Sequence, residues 1–175
     1  MSERRQSLWM WVGLVALGFV VLGLMACVEY WQSQKITQYV EQRSRVFLEE
    51  DIAWFEADAE RTAYLGSSTV QNLRGLLNQN PPDSGAINWN WHYEYLHREV
   101  AEVALKKAAD RKKGHEEDLS KADIEREYPA NYNPRLERML KLHQIAQLKD
   151  SKAGLRSDND TFEQLRQAIE SLEVK

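Results

Sequence analysis

Apolar positions along this chain fall into two regimes. From Leu8 to Val28 they are almost continuous, LWMWVGLVALGFVVLGLMACV, 21 residues without a charge. From about residue 31 onward they recur every three or four positions, the period of a helix with one buried face. A helix of 21 residues rises roughly 30 Å, the thickness of a bilayer's hydrocarbon core. Backbone amides in lipid must pair within their own segment, so a spanning run has to be helical. The first regime therefore predicts a transmembrane helix. Trp9 and Trp11 stand at one edge and Tyr30 and Trp31 at the other, the placement of an interfacial aromatic belt. The remaining chain is too poor in apolar residues to wrap this run as a core helix.

The second regime predicts helices throughout. Ile36, Tyr39, Val40, Val46, Phe47, Trp54, Ala57, Tyr64 and Leu65 keep helical spacing, interrupted by Arg43 and Glu50, and neither Gly nor Pro occurs between Val28 and Leu65. One long amphipathic helix to Leu65 is expected, with Gly66 as its C-cap and Ser67 or Ser68 capping the next. Val70, Leu73, Leu76 and Leu77 mark a short helix over 68–79, closed by the turn-forming run Asn80–Gly85. Ile87, Trp89, Trp91, Tyr93 and Tyr95 alternate with polar residues, which is a strand signature. An isolated strand has no partner for its amides, however, and no second alternating run exists. A helix over about 90–113, capped by Asn88 or Asn90 and broken by Gly114, is the better reading. Further helices follow over 116–127, from Pro134 to Gly154, and from Asp160 to the end. The last opens on Asp160-Thr161-Phe162-Glu163, with capping-box spacing, and carries the seam Phe162, Leu165, Ile169, Leu172.

The fold class is thus all-α. A single N-terminal transmembrane helix continues into a long amphipathic helix and is followed by a small extramembrane helical bundle. By residue, 1–7 form a short tail, 8–28 the span, 29–65 the juxtamembrane helix and 66–175 the helical domain. Basic residues flank the span on both sides, but those nearest it, Arg4 and Arg5 before and Glu29 after, favour a cytoplasmic N-terminus and an extracytoplasmic, periplasmic domain. The tetrapeptide Leu24-Met25-Ala26-Cys27 resembles a lipobox, in which Cys27 would carry lipid and become the mature N-terminus. The apolar run exceeds the ~7–15 residues of a signal peptide's core, and aromatic residues follow Cys27 in place of a flexible tether. An uncleaved signal anchor is preferred.

Composition narrows the function. The 175 residues hold 23 Lys+Arg and 27 Asp+Glu, a net charge of −4, and an isoelectric point of 5.6 excludes a strongly basic nucleic-acid binder. One cysteine excludes an intrachain disulfide and a multi-cysteine zinc site. Glu94 and His97 form a Glu-x-x-His, but a di-iron bundle needs a second such motif and two further Glu, and none of His92, His115 and His143 supplies it. The pair reads as exposed helical surface. His92 and His97, five positions apart, face different ways. The carboxylate runs Glu49-Glu50-Asp51 and Glu116-Glu117-Asp118 read as polar helix surface, and no nucleophile elbow or phosphate-binding glycine loop is present. No catalytic, cofactor-binding or metal-binding residue is expected.

Six Trp and seven Tyr are many for this length. Most are expected to fill a core, while alternation sends some outward, so Trp89, Trp91 and Tyr95 are the candidate partner-binding residues. The expected function is a non-catalytic structural or adaptor subunit of a cell-envelope membrane complex. Its partners would be the bilayer and other membrane or envelope proteins, with self-association through the juxtamembrane helix. The alternative is a membrane-anchored binding module, such as an immunity protein against an extracytoplasmic toxin.

Overall fold

The computed structural model describes residues 2–80, 87–112, 119–149 and 155–172, and the side chains of these from residue 14 onward except 155–158. Among them the chain is helical, with seven helices and no strand. Helix α1 runs unbroken from Ser2 to Glu56. Its part from residue 14 onward is long and apolar enough to cross a membrane by length and composition, and among the described residues none buries the apolar window.

Helix α1 stops at Glu56, short of the expected Leu65. The cause is Asp58, whose extended backbone (φ −148°) and carboxylate capture the amides of Glu60 and Arg61 at 2.8 and 3.2 Å. A short acidic side chain offers the amides an alternative to the helix ladder and so opens a new helix, α2 (Ala59–Thr62). Thr62 donates its hydroxyl to the carbonyls of Phe55 and Asp58, closing the junction. Gly66 is not a C-cap. It is the extended residue that precedes α3 (Ser67–Gln79), and Ser67 and Ser68 lie inside that helix.

Helix α4 (Trp89–Lys112) confirms the helical reading of the alternating aromatics. Its first amides are held from two sides. The Asn88 side chain accepts from Trp91 N at 2.9 Å, and Glu41 of α1 accepts from Trp89 N at 2.6 Å. Helix α5 (Lys121–Glu125) is shorter than the expected 116–127 and is set by a capping box between Ser120 and Asp123. Helix α6 (Asn133–Leu148) carries Pro134 in its first turn, where a missing amide costs nothing. It follows Asn131, whose φ of 64° turns the chain. Helix α7 (Leu155–Glu170) begins before Asp160, so that residue lies within the helix and does not cap it, while Leu172 falls beyond its end. The Asn80–Gly85 turn, the Gly114 break and the Gly154 stop fall wholly or mainly outside the described residues.

One core joins these helices. Helix α1 contributes Ile36, Val40, Phe47, Leu48, Ile52 and Phe55. Val70, Leu73 and Leu77 come from α3, Trp89, Tyr93, Leu96 and Val100 from α4, Leu142 and Ile145 from α6, and Phe162 and Ile169 from α7. Residues before and after position 66 therefore share a single interior. Contacts fix the directions. Asn90 meets Ser44 and Tyr93 meets Asp51, so α4 runs with α1. Arg45 reaches the carbonyl of Leu77 and Arg74 pairs with Glu56, so α3 runs against it. Helix α7 again runs with α1, because Lys35 pairs with Glu163 and Arg43 with Glu170.

Candidate functional site: a buried ionic network beneath an aromatic groove

Two features stand out where α1, α4 and α6 meet. The inner one centres on Asp51, fully buried on the core face of α1. Asp51 lies three residues after Leu48 and four before Phe55, which places it on the apolar stripe. A bare carboxylate there would be prohibitively costly, so the fold surrounds it with donors. Arg135 donates from Nη1 and Arg138 from Nη2 (2.7 Å) to Oδ1, while Tyr93 donates its hydroxyl to Oδ2 at 3.1 Å. His97 Nε2 stands 3.3 Å from Oδ2. On the other side of the ring, His97 Nδ1 lies 2.5 Å from the Tyr132 hydroxyl. Glu50, half-exposed beside Asp51, takes the second fork of Arg138 at 2.6 Å. Two carboxylates thus face two guanidiniums and an imidazole.

Burial alone would raise the pKa of Asp51, but the hydrogen bond and charge of His97, then the charges of Arg138 and Arg135, outweigh it and hold the carboxyl below its ordinary value. Burial, and after it the charge of Asp51, pushes the hydroxyls of Tyr93 and Tyr132 well above the ordinary range, so both stay protonated donors. The order carboxylate, imidazole, hydroxyl is the order of a nucleophile-activating triad. Here the terminal oxygen belongs to Tyr132, which is 1% exposed. Two rings complete the setting: Arg135 lies over Trp54 at 4.5 Å and Arg138 over Phe47 at 3.8 Å. Chemically, the arrangement clamps three helices together at a fixed register.

These positions depart from the expectations. His97 is interior, not exposed surface, because the Leu96–Val100 face of α4 turns it onto Asp51. Asp51 is core while Glu49 is exposed, so the carboxylate run straddles two faces of α1. The signal was available in the spacing: Asp51 interrupts one apolar stripe, and Arg135 and Arg138 share a face with Leu142 and Ile145 on another. Opposite charges on two apolar stripes mark a buried pair.

The outer feature is a groove of about 340 Å³ between α4 and α6, lined by Trp91, Tyr95, Leu136, Met139, Leu140 and His143, with Glu94, His97, Arg98 and Ala101 completing it. Trp91 is 50% exposed and lies nearly parallel to Tyr95, ring centroids 5.5 Å apart. Tyr95 is oriented by donating its hydroxyl to Glu99, and Arg98 covers its ring at 5.3 Å. Leu140 is 49% exposed. On the rim, His143 and Glu94 pair at 2.8 Å. The structure corrects one member of the candidate trio: Trp89 is 3% exposed, packed under Arg45 at 4.9 Å, so its ring belongs to the core and not to the surface. Trp91 and Tyr95 sit together on the groove.

Of the candidate membrane-interface residues, Tyr30 and Trp31 are both 69% exposed, and Trp9 and Trp11 precede the described side chains. Cys27 is a free, exposed thiol on α1. Among the described residues no three His, Cys, Asp or Glu side chains converge as metal ligands. Compared with known protein families, curated proteins and solved structures, the chain matches none.

Proposed function

We propose that this chain is a non-catalytic, single-pass membrane protein that serves as a structural or adaptor subunit of a cell-envelope membrane complex. Its small helical bundle stands outside the cytoplasm and engages a partner through the α4–α6 groove. One observation carries the reading: the same unbroken helix displays a bare apolar stretch and then supplies the core of the folded body. Leu17, Phe19, Leu22 and Leu24 are 61–72% exposed, a patch far larger than soluble surfaces carry. None of the described residues folds back over it, so lipid is its natural cover. Arg4 and Arg5 before the span and Glu29 after it support a cytoplasmic N-terminus. In the groove, a stacked Trp–Tyr pair beside exposed Leu140 has the composition of an interface hot spot.

The test is cross-linking in membranes, solubilisation in mild detergent and mass spectrometry of what travels with the chain. Several stoichiometric membrane proteins, lost on Trp91→Ala while melting of the variant stays within about 0.5 kcal/mol of the parent, are expected. A single soluble protein captured with high affinity would point to the immunity-type module instead.

A further inference from the structure

The spacing along α1 and the register of α7 determine where the folded body sits relative to the bilayer. Ile36, at 2% exposure, is the first core residue of α1. It lies five positions after Trp31, a rise of about 7.5 Å. A bilayer of roughly 40–45 Å including headgroups, around a core of about 30 Å, leaves only some 5–8 Å of headgroup layer on each side. The folded body therefore starts where that layer ends, with no stalk between.

Helix α7 reaches further. Lys35 pairs with Glu163 at 3.2 Å, the Tyr39 and Phe162 rings meet edge-on at 5.4 Å, and Arg43 pairs with Glu170 at 3.6 Å. These three contacts show α7 running alongside α1 in the same direction. From Glu163 and Phe162 back to Leu155 is about two turns, roughly 10–12 Å. The start of α7 then lies level with Cys27–Gln32 of α1, the stretch that holds Tyr30 and Trp31. Helices α3 and α4 do not reach this level: the start of α4 is held by Glu41.

We infer that the opening of α7, Leu155 to Asp160, lies in the headgroup layer of the bilayer that α1 crosses, so that the phospholipid surface is a direct binding partner of the folded body. The opening sequence of α7, Leu155-Arg156-Ser157-Asp158-Asn159-Asp160, is polar enough for headgroups and too polar for hydrocarbon. This rests on α1 being a membrane anchor.

The experiment uses the full chain with Cys27→Ser, reconstituted into phosphatidylcholine–phosphatidylglycerol vesicles that carry a nitroxide on the headgroup. A bimane is placed at Asn159→Cys or, in a separate protein, at Glu60→Cys at the far end of the body. Both native positions are exposed. Quenching several-fold stronger at 159 than at 60 is expected, with Asp160→Cys giving the same result should the first variant melt early. A chain that floats with the vesicles but is quenched no more at 159 than at 60 would overturn the inference alone. A chain that fails to float would overturn the anchor and the inference together.

Discussion

Asp51 is the residue on which most of the interior polarity depends. Replacing one member of a buried ion pair strands the other charge, at a cost of about 3–5 kcal/mol. Asp51→Asn leaves Arg135 and Arg138 facing each other with only Glu50 to offset them, so a loss of that order is expected in thermal or denaturant melting. Tyr132→Phe removes a single hydrogen-bonding hydroxyl and should cost about 1–3 kcal/mol. Equal losses for the two variants would show that the carboxylate is not the centre of the network. The acid limb of stability follows from the same residue. Because the folded-state pKa of Asp51 lies below its unfolded value, the stabilisation is complete above about pH 4 and is lost as pH falls through the lower, folded-state value. Melting temperature against pH should therefore bend downward below pH 4, and Asp51→Asn should flatten that bend.

Among the elements, α7 depends most on its neighbours. Sixteen residues make a marginal helix in water, and this one buries Phe162 and Ile169, at 2% and 3% exposure, in the shared core, Phe162 against Tyr39 of α1. Phe162→Ala should cost about 3–5 kcal/mol. Leu165→Ala should cost less, because Leu165 is only half-buried on the same seam. Urea titration of both variants ranks them, and the reverse order would mean that α7 packs through a different face. Helix existence was legible from apolar spacing: α3, α4, α6 and α7 all fall where the stripes lie. Their ends were legible where a breaker or starter marks them: α3 stops at Gln79, just before Asn80-Pro81, and Pro134 sits in the first turn of α6. At Asp58 the apolar period runs on through Tyr64 and Leu65, while a capping carboxylate stops the helix, and periodicity carries no information about that competition. Alternation in Ile87–Tyr95 pointed to outward rings, and Trp91 is one. Trp89 occupies the inward position because Glu41 and Asn88 fix the first turn of α4.

At the scale of the whole molecule, α1 is both the long apolar helix of the chain and the largest contributor to the core, and several of its partners come late in the chain. Asp51 and Arg135 are 84 residues apart, and Lys35 and Glu163 are 128 apart. Deleting residues 131–175 should accordingly leave an unfolded body, degraded quickly in a pulse–chase measurement, and not a smaller stable domain. The same separations set an order of events during biosynthesis. A ribosome adding roughly 5–20 residues per second delivers Ile36, Val40, Phe47 and Asp51 several seconds before any arginine exists to meet that carboxylate. Through that interval the nascent chain presents a naked apolar stripe carrying an acid that Arg135 and Arg138 have yet to reach. The acid that later clamps the interior is, until then, a charge that holds this stripe in contact with water.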